Sequence, residues 1–254
     1  MAVLTEKQIK YGFDYYHKDD ARPKSVVEVS EYDGEDKLMI NCTQLEESYS
    51  AKSKKRIWME WCDFLVNNPD TFTELMFCTR MPQELFDAVC AQRRLKRLHI
   101  KWGVYPDISK LENLQELEYL HIGSGRSVSS LEPISRLVNL VALSIENFQQ
   151  IDDYAPLANL KHLESLALEG DFAAPKILKV QSLEFLRHMK RLRFFSFLTA
   201  KVIDKDYSPI LELNNLEHLT LKSCKEVKQL YPQFVKLPKL KYGTVLERPE
   251  LYEK

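Results

Sequence analysis

The chain has 254 residues, 44% of them apolar and 29% charged, enough apolar material for a large folded core and too much for a disordered chain. Its 36 Lys and Arg against 37 Asp and Glu leave a net charge of -1, so no global field draws it to nucleic acid or to an anionic membrane. No apolar run reaches the about 18 residues of a membrane span, and MAVLTEKQIK lacks an apolar signal core, so a cytoplasmic location is expected. The five cysteines (Cys42, Cys62, Cys78, Cys90 and Cys224) are odd in number and without a C-x-x-C pair, which predicts free thiols in a reducing compartment.

Residues 1–69 read as an N-terminal α+β cap. Tyr11, Phe13, Tyr15 and Tyr16 crowd an early segment that ends at the charged run 17–20, and Ala21-Arg22-Pro23 breaks it. Two β-prone runs, 25–30 (SVVEVS) and 37–41 (KLMIN), flank Asp33-Gly34, a turn signal that predicts a hairpin. From about residue 45 to 66 the pattern becomes helical, with Ile57, Trp61, Phe64 and Leu65 on one face, and Asn67-Asn68-Pro69 stops it. Trp58 and Trp61 are expected in the core of this cap.

From residue 70 onward a single template recurs. The strand core L-x-x-L-x-L stands at Leu95/Leu98/Ile100, Leu117/Leu120/Ile122, Leu140/Leu143/Ile145, Leu163/Leu166/Leu168, Leu192/Phe195/Phe197 and Leu216/Leu219/Leu221, with steps of 22, 23, 23, 29 and 24 residues. The long step predicts an insertion at 173–176. Weaker copies at Phe72/Leu75/Phe77 and Leu240/Gly243/Val245 bring the array to about eight turns over 70–247. In the first turn, Leu85, Phe86, Val89 and Cys90 form one stripe behind Pro82, which predicts a true helix. Later arms such as 107–114 predict only one or two turns of α- or 3₁₀-helix, and the polar tail 247–254 predicts a closing cap or a frayed end.

This pattern and period resemble the leucine-rich repeat, in particular the short class of roughly 22 residues found in intracellular phosphatase regulators and in bacterial internalins. The resemblance covers about two-thirds of the chain, residues 70–254. It implies an α/β solenoid with a curved parallel sheet on the concave face and short helices or 3₁₀ turns on the convex side. The family's turn asparagine is missing: its positions hold Gly103, Gly125, Phe148, Asp171, Ala200 and Cys224, so a less regular turn is expected.

No H-E-x-x-H, P-loop, nucleophile-elbow or EF-hand motif is present, so no enzymatic activity, cofactor or small-molecule substrate is expected. His99 and His121 hold the same outward strand position in adjacent turns, about 4.8 Å apart. Cys78 alone could join them as a metal ligand, too few for a site, and a Cys78/His99 nucleophilic pair lacks an orienting acid.

The outward positions instead predict a partner-binding face. Its N-terminal third, Arg97, His99, Lys101, Trp102, Tyr119 and His121, is basic and aromatic, the composition of interface hot spots. Glu146 and Glu169 follow and interrupt any basic groove, which disfavours nucleic acid, and Phe194 and Leu198 form an apolar spot, the alternative location. The expected function is a non-enzymatic module gripping a protein partner, and no membrane. A cytosolic inhibitor or immunity-type protein that neutralises an enzyme or toxin by occlusion, as the leucine-rich-repeat ribonuclease inhibitors do, is the alternative.

Overall fold

Alternation along a strand sends Leu143 and Ile145 to one side and Ser144 to the other, so stacked turns in equal register line their apolar residues into one column. The structure, a computed structural model, describes residues 3–14, 22–171 and 176–253 and shows that column. Nine parallel strands follow one another across a single sheet: β1 (Lys24–Val26), β2 (Lys37–Ile40), β3 (Glu74–Phe77), β4 (Arg97–Ile100), β5 (Tyr119–Ile122), β6 (Ala142–Glu146), β7 (Ser165–Glu169), β8 (Phe194–Phe197) and β9 (His218–Leu221). Leu98 faces Leu120, Leu120 faces Leu143, Leu143 faces Leu166, Leu166 faces Phe195 and Phe195 faces Leu219. The 29-residue step leaves this register unshifted. The predicted insertion lies mostly in 172–175, outside the described residues, and the flanking Asp171 and Lys176 form an antiparallel bridge.

The convex arms are short, as their length predicts: 3₁₀ turns at Ser109–Asn113, Ala155–Asn159, Glu184–His188 and Ser208–Glu212, and one α turn at Glu132–Ser135. Each starts in the same way. The side chain of Asp107, Ser130, Asp153, Ser182 or Asp206 accepts a hydrogen bond from the backbone N–H two residues on, at 2.8 to 3.2 Å, which turns the chain and satisfies an N–H left over at the arm's start. In place of the family's turn asparagine ladder, backbone bonds carry the rungs past the strand ends, as in Gly125 N–H to Glu146 O (2.8 Å) and Asn147 N–H to Glu169 O (2.9 Å), and the Asn147 side-chain amide adds a bond to Asp171 Oδ2 (3.1 Å).

The first 69 residues depart from expectation first in their strand pairing. The β1 and β2 runs do not form a hairpin; they pair in parallel, and β2 pairs in parallel with β3. The chain between them, 27–36, is a crossover containing a 3₁₀ turn at Val29–Glu31. This connection places Val26, Leu38 and Ile40 in the same apolar column as the later leucines. A short helix, α1 (Glu6–Tyr11), stands apart from that column. The predicted long helix is α2 (Ala51–Asn67), with Ile57, Trp61 and Leu65 fully buried and Trp58 only half-buried. Trp61 donates its indole N–H to Val27 O at 2.8 Å, and α3 (Gln83–Val89) packs beside α2 with Leu85, Phe86 and Val89 inward.

At the other end the expected strand at 240–245 is absent. Only Tyr242 bridges to His218, and Gly243 turns at φ +99°, where an added Cβ would lie 2.2 Å from Leu219 O. The column is closed instead by helices at Lys225–Phe234 and Thr244–Glu247 and by buried Tyr252, whose hydroxyl donates to Leu221 O at 2.6 Å. No helix among the described residues is long and apolar enough to cross a membrane.

The division at residue 69 makes a measurable claim. Deleting 1–69 strips β2 from β3 and uncovers Leu75, Phe77, Leu85 and Phe86, so the truncated chain should aggregate or melt well below the full chain. Unchanged solubility and melting would show that the segment does not cap the array.

Candidate functional site

The concave face is built from the strand residues that the core does not use. Register puts Arg97 beside Tyr119 and His99 beside His121, so these four form one contiguous patch. The two imidazoles stack with centroids 4.3 Å apart and planes at 14°. Lys101 is exposed and Trp102 half-buried just beyond β4; Glu146 lies beside Glu169 at the same edge, and Leu198 follows β8.

Sequence reasoning missed what lies across this face. Residues 4–14 run over the strands from β9 toward β4 and cover much of it. The segment begins with a capping box: the Thr5 hydroxyl accepts from Gln8 N–H at 3.2 Å, and the Gln8 side chain accepts from Thr5 N–H at 3.0 Å. Gly12 ends α1 at φ +93° and turns Phe13 onto the sheet. Leu4, Ile9 and Phe13, each at most 3% exposed, pack with Val141, Ala142, Ala167 and Phe194, and Tyr119 and Tyr242 border the cluster. This apolar cluster is separate from the solenoid column.

Polar contacts tie the segment down along its length. Near β9, Tyr242 donates to the Glu6 carboxylate at 2.9 Å and Arg193 to Leu4 O at 3.4 Å, while Arg193 also bridges Glu164 (3.1 Å) and Glu217 (2.7 Å). Near β4, Arg97 donates to Phe13 O at 2.5 Å and its guanidinium lies 5.9 Å from the Phe13 ring and 5.3 Å from that of Tyr119. The Asp14 carboxylate sits 3.2 Å from His121 Nδ1 and accepts from Ser144 Oγ at 3.4 Å.

The expectation of an open face is therefore corrected for part of the predicted patch. Phe194 is 6% exposed, buried under the segment and tilted against His218. Arg97, Tyr119 and His121 touch the chain's own Phe13 and Asp14, and His99 is half-buried under His121. Lys101, Trp102, Glu146, Glu169 and Leu198 keep partial or full exposure. A cavity of about 340 Å³ opens beside the segment, lined by Tyr11, Asp14, Glu169, Leu198 and Thr220 among others. The signal that could have announced the segment is Thr5-x-x-Gln8 followed by Gly12.

Burial dominates the electrostatics. It would raise the Asp14 carboxyl, but the hydrogen bond and charge of His121 outweigh it and hold Asp14 below the ordinary aspartate value. Glu169 is raised by burial, with the Asp14 and Glu146 carboxylates adding to it. His99 is pushed down to about 3, first by burial and then by the charges of His121, Arg97 and Arg22, with Asp14 opposing. Cys78 donates to Met39 Sδ at 3.9 Å and its thiol is raised by burial, which makes it a poor nucleophile at neutral pH.

These shifts set a pH dependence. An unfolded histidine takes up its proton near pH 6.5, whereas folded His99 does so only at about 3 and His218 at about 4. The unfolded chain binds more protons in between, so stability should fall as pH drops from about 6.5 toward 3. Asp14 acts in the same direction below its ordinary value. Thermal melting should lose less between pH 6.5 and 4 in His99→Gln than in the wild type; equal slopes would remove His99 from the account.

No protein-family model matches the sequence, and no curated protein matches it significantly. Solved structures do. An internalin (inlF) from Listeria monocytogenes is 16% identical over 76% of this chain and 56% of its own, with a TM-score of 0.39. Internalin C2 (inlC2) of the same organism is 18% identical over 72% and 83%, with a TM-score of 0.48. A leucine-rich-repeat protein of Leptospira interrogans is 16% identical over 80% and 64%, with a TM-score of 0.39. The chain's own rung-by-rung register and recurring arms make it a solenoid of the leucine-rich-repeat type.

Proposed function

We propose that the chain is a non-enzymatic protein-interaction module whose concave face takes up a segment of a partner protein. One observation carries this reading: the outward strand residues form an apolar cluster that the solenoid core does not need, and a stretch of polypeptide already lies in it. The face can thus desolvate apolar side chains and pair a backbone carbonyl and a carboxylate at the same time. Exposed Lys101, half-buried Trp102 and Leu198 supply the rim and anchors still accessible to a partner.

The test is capture of a partner by the full chain from its host, followed by substitution. Trp102→Ala or Leu198→Ala should each weaken the captured complex by about 2 kcal/mol, roughly thirtyfold, with the fold intact, and Lys101→Ala should mainly slow association. A complex indifferent to all three but lost on Val138→Asp, on an exposed residue next to the convex arm Glu132–Ser135, would overturn the reading.

A further inference from the structure

Resting on that reading, we infer that residues 3–14 are a displaceable occupant of the concave site, and that the partner displacing them presents an aromatic side chain followed directly by a carboxylate. The solenoid does not need the segment to close: its apolar column runs from Val26 to Tyr252 and includes no residue of 3–14. The segment adds no strand to the sheet, since its only regular element is the six-residue α1. A device held by side chains on a finished surface can leave by local opening, at less cost than an element woven into the sheet ladder.

The chemistry of the grip identifies what could replace it. At the β4 end the grip falls on Phe13 and Asp14: Arg97 takes the Phe13 carbonyl, Arg97 and Tyr119 flank its ring, and His121 with Ser144 holds the Asp14 carboxylate. These groups read an aromatic ring, the peptide carbonyl behind it and an anion one residue on. The cavity beside Asp14 gives an incoming segment a place to start before α1 has left. An internal occupant of this kind lowers the apparent affinity for a partner by the fraction of time it fills the site.

The experiment uses the full chain carrying Phe13→Ala with Asp14→Asn, and a fluorescein-labelled peptide of residues 3–14. By fluorescence anisotropy the variant should bind this peptide at least about tenfold more tightly than the wild type does. A peptide carrying the same two changes should not bind the variant. In the wild type, hydrogen exchange at the Ile9 and Gly12 amides, which bond within the segment, should proceed by local opening well before that of Leu143 and Leu166 in the sheet. Exchange of α1 only together with the sheet, or a variant without cooperative unfolding, would make the segment part of the core and overturn the inference; so would equal peptide binding by variant and wild type. A fixed segment with partner capture still lost on Trp102→Ala overturns this inference alone, whereas capture indifferent to every concave substitution overturns the reading beneath it.

Discussion

One turn of this chain cannot bury its own leucines. It exposes an apolar side wherever a neighbour is missing, so every turn depends on the next being stacked in the same register, with Leu98, Leu120, Leu143 and Leu166 one above another. The regular spacing, the short arms and the need for two caps all follow from that dependence. At the N-terminal end β1, β2 and α2 continue the column and seal it with Trp61; at the C-terminal end Tyr252 and the helix at 225–234 do so. The capping chemistry is unlike at the two ends: beside β1 the Trp61 indole N–H satisfies Val27 O, and past β9 the Tyr252 hydroxyl satisfies the strand-end carbonyl of Leu221.

The same constraint frees the opposite side of each strand. Residues facing outward have no duty toward the column, so they can carry charge and aromatic rings at positions held rigidly by it. Along one edge this produces a chain of ion pairs, Arg191 and Arg193 with Glu164, and Arg193 and Lys241 with Glu217. Nearly buried Glu164 needs both arginines, because a desolvated carboxylate without cations would be costly. Where the rows turn apolar, at Ala142, Ala167 and Phe194, a polypeptide segment covers them.

That covering changes the chemistry of the face. Stacked beneath His121 and near Arg97, His99 stays neutral through the physiological range, and the anion the patch attracts is supplied by the chain itself as Asp14. Arg97 is likewise spent on Phe13, with Glu74 at 3.6 Å on its other side. What remains outward lies along the far edge, where Lys101, Trp102 and Leu198 follow their strands.

Periodicity alone determined the solenoid, the parallel sheet, the short arms and the inward column, because spacing of two within a strand and about 23 between turns fixes which side chains can meet. The helical face of Ile57, Trp61 and Leu65 was legible for the same reason. Asp33-Gly34 signals a hairpin because turn chemistry is local; the parallel pairing of β1 with β2 comes from the sheet that they extend. The covering of the concave face was illegible in the sequence. Its deciding contacts join residues 84 and 236 positions apart, Phe13 with Arg97 and Glu6 with Tyr242. No local pattern encodes such pairs, and they exist only once the completed sheet has brought its outward rows into one surface.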